Sequence, residues 1–289
     1  MQVHQRLLET YASFRQKQIA LEHMTTRRLV EGVTRGIVGP VTIPVVVHVV
    51  HNAASENISA AQIKSQIGVL NKDYRATNPD RTKVPAVWTA LVADSNVQFV
   101  LASKDPQGKK TSGITRTKTN RTSFSDDDGV KSKSTGGAPP WPSDKYLNLW
   151  VCSLGGGLLG YAQFPGGPPK TDGVVILNTA FGTKGTAAAP FNLGRTATHE
   201  IGHWLNLRHI WGDTEDCTGS DFVADTPNAA TPNFGKPKVP HISCHNDPNG
   251  DMFMNYMDYV DDDAMFMFTK GQVVRMEATL EGPRSSIVS

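Results

Sequence analysis

Apolar residues along this chain recur at two spacings, that of strands and that of helices, and the order in which the two alternate predicts the fold. Leu7, Leu8, Tyr11 and Phe14 fall at helical spacing, and the stretch 35–40 then breaks it. Residues 1 to about 40 therefore read as a separate helical segment, either the remnant of a pro-segment or an extra surface helix of the mature domain. Residues 41–51 form a continuous apolar run of strand length. Ser59 and Gln62 make a capping-box pair that starts a helix with the stripe Ile63, Ile67, Leu70 and Tyr74. Further strands are expected at 97–103, 146–154, 158–164 and 174–179, followed by a second helix from about Leu193 whose apolar stripe is Ala197, Ile201, Trp204 and Leu205.

Strands alternating with helices predict an α/β (α+β) class, with a first lobe, about 41–206, made of a sheet and two helices. After His209 the character changes. Gly, Asp, Pro and Asn dominate as far as Gly250, and only 269–280 is helical, capped by Thr269 and Gln272 and stopped by Gly282-Pro283. The second lobe, about 207–289, is mostly loop and needs a staple such as a disulfide or a bound ion.

The chain has 289 residues, enough for one large domain with two lobes. Lys plus Arg number 29 against 27 Asp plus Glu, and this balance argues against a nucleic-acid partner. No apolar run approaches the roughly 20 residues that cross a bilayer, so no membrane span is expected. Met1 is followed by polar and charged residues, so no secretory signal is visible, and location is left open by that end of the chain. The three cysteines allow at most one internal disulfide. Cys217 and Cys244 flank the irregular loop, where closure would contribute roughly 3 to 4 kcal/mol, whereas Cys152 sits in an apolar run and reads as a buried free thiol.

The chemistry is concentrated in one stretch, His199-Glu200-Ile201-Gly202-His203-Trp204-Leu205-Asn206-Leu207-Arg208-His209. His199 and His203, four residues apart, stack on one face of a helix and can converge on one metal. Glu200 is displaced by roughly 100° around the helix, well placed to take a proton from an attacking water. His209 can join the two histidines only if the chain turns first. Asn206, which tolerates a left-handed backbone, stands where such a turn is needed. Histidines and apolar stripe should then face opposite ways.

This motif, with the later Asn255-Tyr256-Met257-Asp258-Tyr259, resembles the metzincins and, within them, the pappalysin (cytophagalysin) zinc endopeptidases. Asp225-Thr226-Pro227 and Phe268-Thr269-Lys270-Gly271-Gln272 also match that group, and the resemblance runs from about Val41 to Leu280. It implies a metzincin catalytic domain: a twisted mixed sheet with a backing helix and an active-site helix, then a loop-rich lobe with a Met-turn and a terminal helix. Met257 would be the Met-turn methionine under the zinc site, and Tyr259 would help bind or stabilise the reaction intermediate. The resemblance also implies a secreted protein acting on proteins or peptides and a Cys217–Cys244 bridge. The second bridge common in relatives would fall at Lys236 and Ala264 and is absent here. Relatives are often kept latent by a pro-segment cysteine, yet no cysteine precedes Cys152.

The expected mechanism has His199, His203 and His209 holding Zn²⁺ with a fourth position open to water and Glu200 as general base. An extended substrate should pair with a strand edge formed by Gly160, Tyr161 and Ala162. Asp221, Asp225 and the Thr226 carbonyl are candidate calcium ligands, a reading the resemblance supports. Asp261-Asp262-Asp263, an acidic run after the Met-turn, would by itself read as a solvated loop; the resemblance implies that this part of the chain shapes the pocket for the side chain after the scissile bond, with Asp262 as the candidate base that selects Arg, and less well Lys. The competing class is a non-catalytic secreted module keeping zinc as a staple. That site would need a fourth protein ligand and no general base. A peptidase with a downstream glutamate as third ligand is disfavoured, because Glu215 lies too close to the motif and Glu277 falls in the terminal helix.

Overall fold

A computed structural model describes residues 2–31, 39–246 and 248–288. The N-terminal segment forms α1 (Gln2–Thr10) and α2 (Ala12–Glu31), while most of the predicted break at 35–40 lies outside the described residues. Then follow β1 (Val41–His51), α3 (Ala60–Asp73), a single turn α4 (Ala86–Thr89), β2 (Val97–Leu101), β3 (Ile114–Lys118), β4 (Leu147–Cys152), β5 (Gly160–Ala162) and β6 (Val174–Leu177). The active-site helix is α5 (Arg195–Trp204). Among the described residues, the second lobe holds β7 (Phe234–Gly235), β8 (Tyr259–Val260), short 3₁₀ turns and α6 (Lys270–Glu281).

The sheet is ordered β2-β1-β4-β6-β5, with β3 also pairing β1. β1 is long enough to serve two partners on one side. Its first half, Val41 to Val45, pairs with β2, and its second, Val47 to His51, with β3. All of these pairs are parallel except β5 with β6. Parallel strands buried on both faces read as unbroken apolar runs, which is why β1 and β4 show no alternation. β5 is the antiparallel strand at the end of the sheet, so its outer backbone groups have no strand partner.

The two faces of the sheet have separate cores. One packs Ile43, Val45, Val47, Leu149 and Ile176 against Ile63 and Leu70 of α3, Ala197 and Ile201 of α5, and the Met-turn region. The other packs Val50, Trp150 and Val175 against Phe124, Val130, and Val3, Leu7 and Phe14 of the N-terminal helices. Ser59 caps α3 by accepting from the Gln62 amide, but the expected reciprocal bond is not made. The Gln62 side chain instead donates to the Asn178 and Phe181 carbonyls, because it is buried against the loop that leads towards α5. At α6 the box of Thr269 and Gln272 is complete.

A second difference concerns α5. Every residue of this helix is buried, histidines included, because the polar side that was expected to face away from the core forms the floor of a cleft between the lobes.

Candidate active site

Three imidazoles meet at one point. His199 and His203 project from α5, and His209 returns to them after a turn in which Asn206 has φ of 71°, the left-handed value expected from its side chain. The Nε2 atoms of His199 and His203 lie 3.2 Å and 3.0 Å from that of His209. Each Nδ1 is already committed: His199 donates to the Tyr256 carbonyl at 2.7 Å, His203 to the Leu207 carbonyl at 2.8 Å, and His209 to Asp213 Oδ1 at 2.6 Å. With the single proton of each neutral ring at Nδ1, three bare Nε2 lone pairs face one another. Burial keeps the rings neutral, lowering His199 to about 4 and the other two well below the ordinary histidine value. Lone pairs held so close repel unless a cation lies among them. The donor set, three neutral nitrogens with second partners that fix the tautomer, fits zinc.

Glu200 lies beside this point at the meeting of two cavities, both lined by Glu200 and Tyr259. Burial pushes its carboxyl up to about 8. Gly160 makes room for it. A β-carbon there would come within 2.9 Å of Glu200 Cγ and 2.8 Å of the Val175 carbonyl oxygen. Gly160 thus lies on the end strand of the sheet and is also closely packed.

Met257 lies directly beneath the helix. A β-carbon on Gly202 would fall 2.5 Å from Met257 Sδ, so the glycine between the two helical histidines lets the Met-turn approach. Tyr259 places its ring 5.5 Å from His199 and 4.8 Å from His209. The adjacent Trp211 stacks on His209 at 4.1 Å with an interplanar angle of 10°.

One side of the cleft is a cavity of about 260 Å³ lined by Leu159, Phe191, Thr196, Val260 and Met265, with Asp262 among them. Asp262 is not a solvated loop residue. Its Oδ2 accepts from the amides of Leu193 at 2.7 Å and Arg195 at 3.2 Å, tying the cavity wall to the start of α5. Burial raises this carboxyl to about 6 despite those bonds.

The proposed calcium residues are close in sequence but already engaged. Asp221 accepts from the Val223 amide and the Thr226 hydroxyl, while Asp225 accepts from the Thr269 hydroxyl and the Gly271 amide at the start of α6. Cys217 and Cys244 form the disulfide, and Cys152 is buried and free. Lys236, one of the two positions expected to match a second bridge, pairs with Asp263 at 2.6 Å.

Several supporting residues were not singled out by the sequence reading. Trp211 and Asp213 lie just beyond the third histidine, and an acid so placed was the one available signal. Arg195 forms a buried network with Asp73, Asp80 and Tyr256, whose carbonyl orients His199. Nothing in the sequence pairs residues so far apart.

Comparison with known proteins gives a consistent answer. Residues 131–281, over half of the chain, match the M43 peptidase family described as pregnancy-associated plasma protein-A. An extracellular metalloprotease of Pyricularia oryzae is 35% identical over 247 residues, covering 82% of this chain and 74% of that protein. Extracellular metalloprotease 1 of Coccidioides posadasii is 33% identical over 251 residues, covering 83% and 76%. Mature mirolysin of Tannerella forsythia, solved with a cleaved peptide, superposes with a TM-score of 0.85 at 50% identity, covering 87% of this chain and 97% of its own. A promirolysin mutant from the same organism gives 0.88 at 44% identity, covering 96% of both chains. This level of identity, together with the histidine cluster in its cleft, establishes that the chain belongs to the M43 (pappalysin) family of zinc metalloendopeptidases.

Proposed function

We propose that the chain cuts proteins and peptides at internal bonds with His199, His203 and His209 as zinc ligands and Glu200 as general base. The observation that carries this reading is the convergence of three bare imidazole nitrogens beside one buried carboxylate at the crossing of two cavities. His199, His203 and His209 would hold the zinc ion, which would supply Lewis acidity to the scissile carbonyl and to an attacking water. Glu200 takes a proton from that water and later delivers it to the leaving amine, as general acid–base catalysis requires. Tyr259, open to both cavities, donates to the oxygen that gains charge. The substrate backbone lies along Gly160, Tyr161 and Ala162, the edge strand that ends the sheet. The non-catalytic module has no comparable support, since no fourth His, Cys, Asp or Glu joins the triad among the described residues. The test is digestion of denatured casein with and without a zinc chelator: cleavage stops with chelator and returns with added zinc, and cleavage that persists without metal removes the proposal.

Specificity for Arg, and less well Lys, after the scissile bond rests on Asp262. The Leu193 and Arg195 amides both meet Oδ2, and the carboxylate lines the cavity that a basic side chain would enter. Asp262→Ala would also untie the start of α5, at a cost of about 1 to 2 kcal/mol. Asp262→Asn keeps an acceptor there. In a peptide library the parent should cut before Arg and Lys, and the Asn variant should lose at least about tenfold of that preference, one buried charge pair being worth more than about 1.4 kcal/mol. A parent that prefers apolar residues at that position, or an Asn variant with the parent's profile, would exclude Asp262 from this role.

The calcium proposal rests on the family resemblance and on Asp221, a carboxylate 3% exposed that burial raises to about 7. Calcium would exchange for the hydroxyl and amide donors that Asp221 and Asp225 now hold, adding the Thr226 carbonyl. The sign of the pH dependence follows from the raised value. Without calcium, the stability tied to protonated Asp221 is full below the ordinary aspartate range and lost as pH rises through about 7, at most roughly 4 kcal/mol. Asp258, also raised to about 7 by burial, adds to the same slope. Melting temperature should therefore fall from pH 5.5 to 8.5, calcium should restore much of the loss, and Asp221→Asn should remove the calcium response. Calcium that leaves the melting temperature at pH 8.5 unmoved rules the site out.

The disulfide and the extracellular relatives support secretion, since such bridges persist in oxidising compartments. Among the described residues, no helix is long and apolar enough to cross a membrane. Residues 1 to about 40 are proposed to be a pro-segment, of which Gln2, Val3 and His4 line the cleft.

A further inference from the structure

The three histidines are anchored by different means. His199 and His203 stand on α5, which fixes both rings, and they give their Nδ1 protons to backbone carbonyls, of Tyr256 in the Met-turn and of Leu207 just beyond the end of the helix. His209 stands on a loop and gives its proton to a side chain, the Asp213 carboxylate, at 2.6 Å. The turn that brings Asp213 back is a strained one: Gly212 and Asp213 have φ of 66° and 60°, and the second is unfavourable for a residue with a β-carbon. Packing holds it, since a β-carbon on Gly212 would fall 2.1 Å from the Ser220 amide nitrogen. Trp211 stacks on the other side of the imidazole and closes off its rotation.

We propose that Asp213 is a positioning residue for the third ligand: it holds His209 in the tautomer with Nε2 unprotonated, and its charge makes that nitrogen a stronger donor to the metal. A loop histidine without such a partner would sample other ring angles and both tautomers, and each departure weakens its bond to the metal. The two helical histidines do not need a charged partner because the helix already fixes them. The inference rests on the zinc-ligand reading above and goes beyond it by separating the ligand from what aims it.

The test measures zinc affinity by competition with a chromogenic chelator, alongside the melting temperature of the metal-free protein. Asp213→Ala should weaken zinc by about 10- to 100-fold. Asp213→Asn, which keeps the acceptor and tolerates the turn but lacks the charge, should fall between Ala and parent. With zinc in excess, both should reduce kcat for a short peptide more than they raise KM, and cobalt-loaded protein should show a shifted visible spectrum. Asp216→Ala, an exposed acid of the same loop bonded to Thr218, controls for loop damage and should bind zinc as the parent does. His209→Ala separates the two levels of the argument. If it retains parental affinity, the ligand set itself is wrong; if it loses zinc while both Asp213 variants bind within twofold of the parent, only the role of Asp213 is overturned. A loss in Asp213→Ala matched by an equal loss in Asp216→Ala would also overturn it.

Discussion

Glu200→Ala should lower casein cleavage by at least about 10⁴-fold while leaving zinc content and melting temperature close to those of the parent. The size follows from what is removed. General base and acid contribute about 10²- to 10⁴-fold in one proton transfer, and here the same carboxylate serves both attack and departure of the amine. The stability side follows from burial. Glu200 is held without a hydrogen-bond partner strong enough to keep it ionised, and its carboxyl rises to about 8, so truncation removes a group the fold disfavours in charged form. Zinc content, casein turnover and thermal unfolding measured on one preparation check all three. Cleavage within tenfold of the parent with zinc retained would mean that another group moves the proton.

Gly160 makes a related point about how narrowly this carboxylate is housed. The end strand of the sheet is also the wall that leaves room for Glu200, and that room requires the absence of a side chain at one position. Any larger residue there would push Glu200 across the cleft, or push the strand off Val175.

How much of this was legible beforehand depends on whether the signal was local. β1 was read at its true bounds because a run buried on both faces is apolar throughout. β3 was missed, since Ile114-Thr115-Arg116-Thr117-Lys118 carries a single apolar residue and becomes a strand only because β1 extends past β2 and offers it an edge. Ser59 capped as expected, yet Gln62 was drawn away by carbonyls more than a hundred residues later. The zinc cluster was legible because its geometry is written in spacings of four and six, and in an asparagine suited to the turn. The second set of partners was not. Asp213 needs a turn of positive φ to reach back, and Tyr256 needs the Met-turn under α5 before its carbonyl meets His199. Asp262 was placed at the cavity by resemblance, but its bonds to the start of α5 depend on how the second lobe folds against the first.

The N-terminal helices give the other large expected effect: cutting the chain between Glu31 and Gly39, at an inserted site for a sequence-specific protease, should raise activity on a short peptide by about 10³-fold. The start of α1 enters the cleft, where Gln2, Val3 and His4 line one cavity with Gly160, Ala162, Glu200 and His203. A substrate that pairs with this strand edge must displace them. The segment is held by apolar and charged contacts alike: Val3, Leu7 and Phe14 pack with Phe164 and Tyr161, and Glu22 binds Arg275, itself 1% exposed, at 2.7 Å. Arg28 meets Glu281 at 2.7 Å. Mature mirolysin covers 87% of this chain and the promirolysin mutant 96%. A tethered segment acts at an effective concentration of the order of millimolar, so an intrinsic affinity of about 1 μM leaves roughly one cleft in a thousand open. Once cut and diluted to nanomolar, the segment leaves and the cleft opens. A synthetic peptide of residues 2–31 added back at micromolar concentration should inhibit the cut enzyme, and Glu22→Ala should raise the activity of the uncut chain by losing the partner of Arg275. Equal activity of cut and uncut protein on a peptide short enough to need only the cleft would show that these helices are part of the working enzyme.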